Sequence, residues 1–309
     1  SQFHKFLLLT INIIFIASSL SAREPEVINY GNFGFGLSSS LFNSKSHQSI
    51  FYPAGFYWAG EKISELTWEA NDIKLVGFDL MYTRKDFEVY FSYKKSVSSI
   101  GDGVMDDLDW AYVTDPTKLS HWSHHEDTDV TNVSIMDFGI RKSVEFEYAV
   151  PWIGIGYRAE NQSYKAYDGY GEYYEKPVTF DGLGITFDQE YKSVYISTGL
   201  DLKLGDLIIY GSVKYSPFVT AQFTDRHHFR DFTETTEFDN TSMLNLNGGL
   251  GYNLNDHHTI TVTYEETEYT YKRGNRTRTF DWGTVYNWAD SVGLDNINRL
   301  VNITYKYRF

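Results

Sequence analysis

Long runs of alternating side chains, joined by connections that are short and long in turn, constrain this chain more than any other feature. Val76, Phe78, Leu80 and Tyr82 alternate with Gly77, Asp79 and Met81. Beyond 83–86, Phe87, Val89, Phe91 and Tyr93 alternate with Glu88, Tyr90, Ser92 and Lys94. The period recurs at Met136, Phe138 and Ile140, from Val194 to Leu204, Leu207 to Tyr215, Leu244 to Tyr252 and Ile260 to Tyr264. Period two sends successive side chains to opposite faces of an extended strand. The last segment is the plainest: Val301, Ile303, Tyr305, Tyr307 and Phe309 alternate with polar residues to the final position.

An apolar alternating strand that closes on a terminal Phe resembles the sorting signature of outer-membrane barrels. Short turns at 83–86, 205–206 and 253–256 are interleaved with long polar connections near 104–128, 170–185, 224–240 and 274–293. Short inner turns and long outer loops are the arrangement of a transmembrane barrel. The fold expected is therefore all-β: a ten-stranded antiparallel transmembrane β-barrel extending above the outer membrane. Tyr82, Tyr93, Tyr215 and Tyr252 are expected near the short turns as an interfacial girdle. A soluble β-sandwich would not need outward aromatics there, and in lipid only closure satisfies the strand edges. The segment 63–82 is longer than the ~9–11 residues a tilted strand needs to cross a bilayer. Its half away from the short turn carries Glu65, Thr67, Glu69, Asn71, Asp72 and Lys74, which implies polar walls above the membrane.

Residues 1–22 read as an export leader: Lys5, an apolar run from Phe6 to Ala17, and a small-residue exit at Ser21-Ala22. Residues 23–309 form the barrel domain. Beyond the leader no apolar run approaches the ~20 residues of a membrane helix, although 17% of residues are aromatic. Cysteine is absent, which removes disulfides, thiol nucleophiles and thiolate ligands. The net charge of -14 argues against nucleic acid as a partner. Its field would favour basic peptides, if the acids cluster near a site.

Two short patterns carry chemistry. Asp107 and Asp109 share one face of an extended backbone, as do Asp225 and His227 more than a hundred residues later. Two carboxylates opposite a carboxylate–imidazole pair can hold and deprotonate a water, which points to a hydrolase. His121, His124 and His125 crowd one connection and His227 with His228 the facing one, but that spacing is unspecific for zinc and no metal site is assigned.

At these residues the chain resembles the omptin family of outer-membrane endopeptidases. The resemblance rests on Gly103-x-Met105-x-Asp107-x-Asp109-Trp110, Lys62-Ile63-Ser64-x-Leu66-x-Trp68, Tyr215-Ser216 ten residues before Asp225, and Ser123-x-His125-x-Asp127-Thr128. It spans nearly the whole chain after the leader. It implies an Asp–Asp couple at Asp107 and Asp109 and a His–Asp couple at His227 and Asp225, holding the attacking water between them. Neutral His227 would take the proton, Asp225 would fix its tautomer, Asp107 would hold the water and Asp109 would support it. No Ser or Cys nucleophile is implied, so Ser123 and His125 are assigned a structural role. Peptides and proteins are the implied substrates, lipopolysaccharide an implied activator, and a monomer is expected.

Departures from the family pattern qualify this. Family members favour Arg or Lys before the cut through acids, one of them two residues before the Asp of the Asp-x-His couple. Phe223 stands there, and the other acid's place reads Ser49-Ile50-Phe51-Tyr52. The expectation is a protease not specific for dibasic sites, with Phe51 and Phe223 lining an apolar pocket. Asn161 and Glu190 occupy positions where basic residues would meet lipopolysaccharide, with Arg158, Lys165 and Lys192 as nearby candidates. Two rival functions remain in view. One is an omptin-like adhesin binding host proteins without useful catalysis. The other is a passive pore, disfavoured because ten strands leave a narrow interior filled by residues such as Glu88, Tyr90, Lys94, Tyr210 and Lys214.

Overall fold

The computed structural model describes residues 31–97, 103–112 and 114–309, and the expected leader lies outside them. Its strand segments are β1 (Asn32–Phe51), β2 (Lys62–Arg84), β3 (Phe87–Ser96), β4 (Gly103–Asp109), β5 (His121–Ser143) and β6 (Ala149–Tyr173), followed by β7 (Lys176–Leu204), β8 (Leu207–His227), β9 (Phe232–Asn253), β10 (His258–Phe280) and β11 (Val285–Arg308). All neighbours pair antiparallel, and β1 pairs with both β2 and β11, which closes the sheet. Both β3 and β4 lie between β2 and β5, so they occupy successive lengths of one position. The ring therefore has the ten positions expected. At the seam the amide of Phe309 donates to the carbonyl of Phe33 at 2.8 Å.

The nine strands other than β3 and β4 run 20–29 residues, about twice what a bilayer crossing needs. The half next to the short turns carries an apolar band outside. There Leu37, Val76, Leu80, Phe138, Ile155, Val194, Leu250, Val262 and Ile303 are exposed to the lipid side. Beyond that band the outer face carries charge, such as the Lys45–Glu69 and Arg299–Glu266 pairs. Tyr82 and Tyr252 flank short turns as expected, whereas Tyr93 and Tyr215 sit farther along their strands, opposite Phe78 and Ile196.

Irregularities mark the junction between the two halves. Phe42 pairs with Ile73 and Ser44 with Ala70, leaving Asn71 and Asp72 opposite Asn43. This β-bulge moves the inward set of β2 from Ser64, Leu66, Trp68 and Ala70 to Ile73 and Leu75. Asp72 adopts φ 54°, and a reciprocal clip holds it: its amide donates to Asn43 Oδ1 at 3.0 Å, and Asn43 Nδ2 to its Oδ1 at 3.3 Å. Similar register shifts occur in β5, β7, β8 and β10.

The interior is solid. Arg158 meets Asp137, Glu160 and Glu265 at 3.6, 3.1 and 2.8 Å. Lys214 also pairs with Asp137, and Tyr90 meets Tyr195 at 2.6 Å. Above this polar layer lies an aromatic one. Trp68 stacks on Phe187 at 4.9 Å, Tyr191 on Tyr269 at 3.9 Å, and Phe223 packs on Phe187, Tyr191 and Phe238.

The outer connections differ from expectation. Most of 104–128, 170–185, 224–240 and 274–293 is paired strand, not loop. Tyr173 pairs with Lys176, so Tyr174 and Glu175 alone, both at positive φ, turn β6 into β7. His227 pairs with Phe232, and Thr279 with Val285. Above the membrane the outward face is wetted, so the apolar half of the alternation fades while the hydrogen-bond ladder continues.

Candidate active site

The ends of β4 and β8 away from the short turns carry the two predicted couples. Asp107 lies in register with Leu66 of β2 and Asp225 with Phe187 of β7, both beyond the apolar band. The alternation that buries Met105 also turns Asp107 inward, and that of Ala221 and Phe223 turns in Asp225 and His227. The aromatic layer forms the floor directly beneath. His227 has one ring nitrogen 2.9 Å from Asp225 Oδ1, off the line of a good hydrogen bond, and its ring stacks on Phe232 at 4.4 Å. Ser64 donates to Asp107 Oδ1 at 3.2 Å. Asp109 stands 3.9 Å from His121, whose Nδ1 meets Ser120 Oγ at 2.8 Å.

Electrostatics ties the couples together. Burial, and next the charge of Asp109, push the Asp107 carboxyl up to about 7, while His227, Arg230 and the Ser64 hydroxyl pull the other way. Burial opposes charge on His227, but Asp225 beside it, helped by Glu234, raises its pKa above the ordinary value. The charge of His227 is thus felt at Asp107, which links the two couples. Both shifts run upward, Asp107 chiefly through burial and His227 through its carboxylate neighbour.

The expected pocket of Phe51 and Phe223 is not formed. Phe223 is 1% exposed, locked into the aromatic floor. Phe51 falls outside the inward set of β1, which is Phe42, Ser44, Ser46, Gln48 and Ile50, and its ring lies under the Arg273 guanidinium at 4.0 Å. Ser123 and His125 are neighbours: His125 is buried, with Nε2 3.1 Å from Ser123 and Nδ1 2.5 Å from the Asp168 carbonyl. His124 faces Asp106 at 2.6 Å and Glu126 at 3.5 Å. Arg158 is buried inside the barrel, which removes one candidate cation from the outer wall, whereas Lys192 stays exposed there, paired with Glu190 at 2.7 Å.

The structure adds residues that the sequence reading missed: Ser64, Arg230, Phe232, Glu234, Arg276 and Arg278. Glu234 lies directly opposite Asp225 across the β8–β9 ladder, and Arg278 opposite Glu234 across β9–β10. Reading 224–240 as a loop hid this; a tight turn at 228–231 would have revealed it.

A closed ring of long antiparallel strands with an apolar outer band defines a transmembrane β-barrel. The model of the omptin family matches residues 30–309. The chain belongs to the omptin family of outer-membrane proteases. It is 23% identical to the plasminogen activator of Yersinia pestis, over 95% of each chain. It is 22% identical to protease 7 of Escherichia coli K12, over 94% of this chain and 95% of that protein. The crystal structure of the outer-membrane protease OmpT from Escherichia coli superposes with a TM-score of 0.85 at 20% identity, over 93% of this chain and 99% of that one.

Proposed function

We propose that the chain is an outer-membrane endopeptidase whose nucleophile is a water held between Asp107 and His227, its groove facing the cell exterior. The convergence of these two side chains above a sealed aromatic floor carries the reading. In the proposed step neutral His227 takes a proton from the water as its oxygen bonds to the scissile carbonyl carbon. Asp225 orients the ring and stabilises the imidazolium. Asp107 positions the water, with Asp109 and Ser64 supporting its carboxylate. Collapse of the tetrahedral species breaks the C–N bond, and His227 returns its proton to the leaving amine. The protein forms no covalent bond to substrate. The site lies at the end away from the short turns, which supports an outward orientation.

Selection for dibasic sites is not part of this proposal, because Phe223 and the stretch 49–52 supply none of the expected acids. Lipopolysaccharide is kept as a proposed activator and a monomer as the proposed working unit. The test is cleavage of a diverse peptide library by the refolded protein, with and without lipopolysaccharide, beside His227→Ala. Cleavage abolished by that substitution supports the protease. A folded barrel that cuts nothing in either condition would favour the adhesin reading, which the altered pocket keeps open.

A further inference from the structure

The wall next to the His couple is basic. Glu234, 1% exposed, takes Arg276 Nη1 at 3.2 Å and Arg278 Nε at 2.6 Å on the same oxygen, Oε1. Its other oxygen and Arg276 Nε are buried without a hydrogen-bond partner. Two guanidiniums thus share one carboxylate oxygen, and Arg230 adds a third cation nearby, felt by both Asp107 and His227. Burial, with repulsion from Arg278, holds the Arg276 guanidinium below its ordinary value despite Glu234.

Aromatic rings hold these groups in place. Arg276 lies over Trp288 at 4.4 Å, and Trp288 stacks with Tyr286 at 5.5 Å. Arg278 lies over Phe232 at 4.1 Å, the same ring on which His227 stacks. Arg278 is also the accessible member, its side chain 27% exposed against 6% for Arg276. Among the described residues no partner takes its Nη groups. Asp225, Glu234 and Arg278 are successive register partners, so Arg278 stands two strands, ~10 Å of backbone, from the His couple. An extended peptide advances ~3.3 Å per residue, so a side chain within about two residues of the cut reaches it.

We infer that Arg278 and Arg276, held by Glu234, form a specificity subsite that takes an acidic side chain of the peptide substrate, within two residues of the scissile bond. This rests on the endopeptidase reading and names its substrate class. The overall negative charge of the chain does not oppose it. Surface charges are screened beyond ~8–10 Å in physiological salt, whereas a bidentate guanidinium–carboxylate contact in a half-buried groove is not.

The test takes one peptide from the library hits and places Glu, Gln or Arg in turn at the two positions on each side of the cut. At one of these positions the expected order of kcat/KM is Glu above Gln above Arg, with Glu over Arg by about tenfold or more, as one charge-assisted contact supplies. Arg278→Glu should invert the Glu-to-Arg ratio there. Equal rates for the three peptides at every position, or a ratio unchanged in Arg278→Glu, overturns the inference. Binding of the same peptides to His227→Ala, followed by fluorescence anisotropy, separates recognition from catalysis. Tighter binding of the Glu peptide that is lost in His227→Ala with Arg278→Glu upholds the subsite as a recognition element, and equal binding of the three peptides overturns it. Cleavage without charge preference keeps the protease and removes the subsite.

Discussion

At the scale of residues, two raised pKa values govern the proposed chemistry. Asp107 near 7 and His227 above its ordinary value both gain protons as the solution is acidified through their raised pKa values. The water then loses both acceptors, so kcat/KM should fall steeply on the acid side and level off above. Asp225→Asn removes the charge that raises His227 and should carry its part of the acid limb to lower pH while lowering the plateau. Ser64→Ala works in the opposite sense. The Ser64 hydroxyl stabilises the charged form of Asp107, and without it that carboxyl rises further, moving the limb to higher pH. A pH–rate profile unchanged in Ser64→Ala would show that Asp107 does not limit the step. The four residues of the two couples were legible because spacing by two is a local property of any strand. The surroundings of Phe51 and Phe223 were not legible, since what lies over them is set by partners on other strands, Arg273 for Phe51 and Phe187, Tyr191 and Phe238 for Phe223.

At the scale of elements, the bulges govern how a strand that begins in lipid continues into water. Asp72 sits in the left-handed region, which costs an ordinary side chain ~1–2 kcal/mol and a β-branched one more. Asp72→Val should therefore lower the denaturant midpoint of the refolded barrel, and Asp72→Gly should be tolerated better. Equal midpoints would mean the backbone at Asp72 is not constrained by its clip to Asn43. None of this was visible beforehand. The segment 63–82 was seen as one long strand with a polar outer half, but the switch of inward parity after Ala70 appears only when β2 is paired with β1. The outer connections show the same limit. Their charged alternation resembles loop composition, because water on the outer face removes the hydrophobic half of the period.

At the scale of the molecule, the barrel is a filled scaffold and not a conduit. Arg158 is buried among Asp137, Glu160 and Glu265, and removing one partner of a buried ionic network typically costs ~3–5 kcal/mol. Arg158→Ala should show this as a large loss of thermal stability even though the residue lies well below the site. Planar-bilayer recording of the intact protein should give no stable conductance. Steady single channels would contradict the solid interior. The aromatic floor above this layer gives the whole-molecule reason for the raised Asp107: it closes the groove from below and adds to the burial of the carboxyl.

The sequence by itself determined that the chain closes into an outer-membrane barrel, because period-two segments with few breaks must pair every edge once they enter lipid. It also determined which carboxylates and imidazole lie on common faces, because that follows from chain geometry alone. Only the tertiary structure decided how far the strands rise above the membrane, that Phe223 belongs to the floor, and that Glu234, Arg276 and Arg278 stand beside Asp225. Those facts depend on the register between distant strands, where one bulge or one tight turn changes which side chains meet.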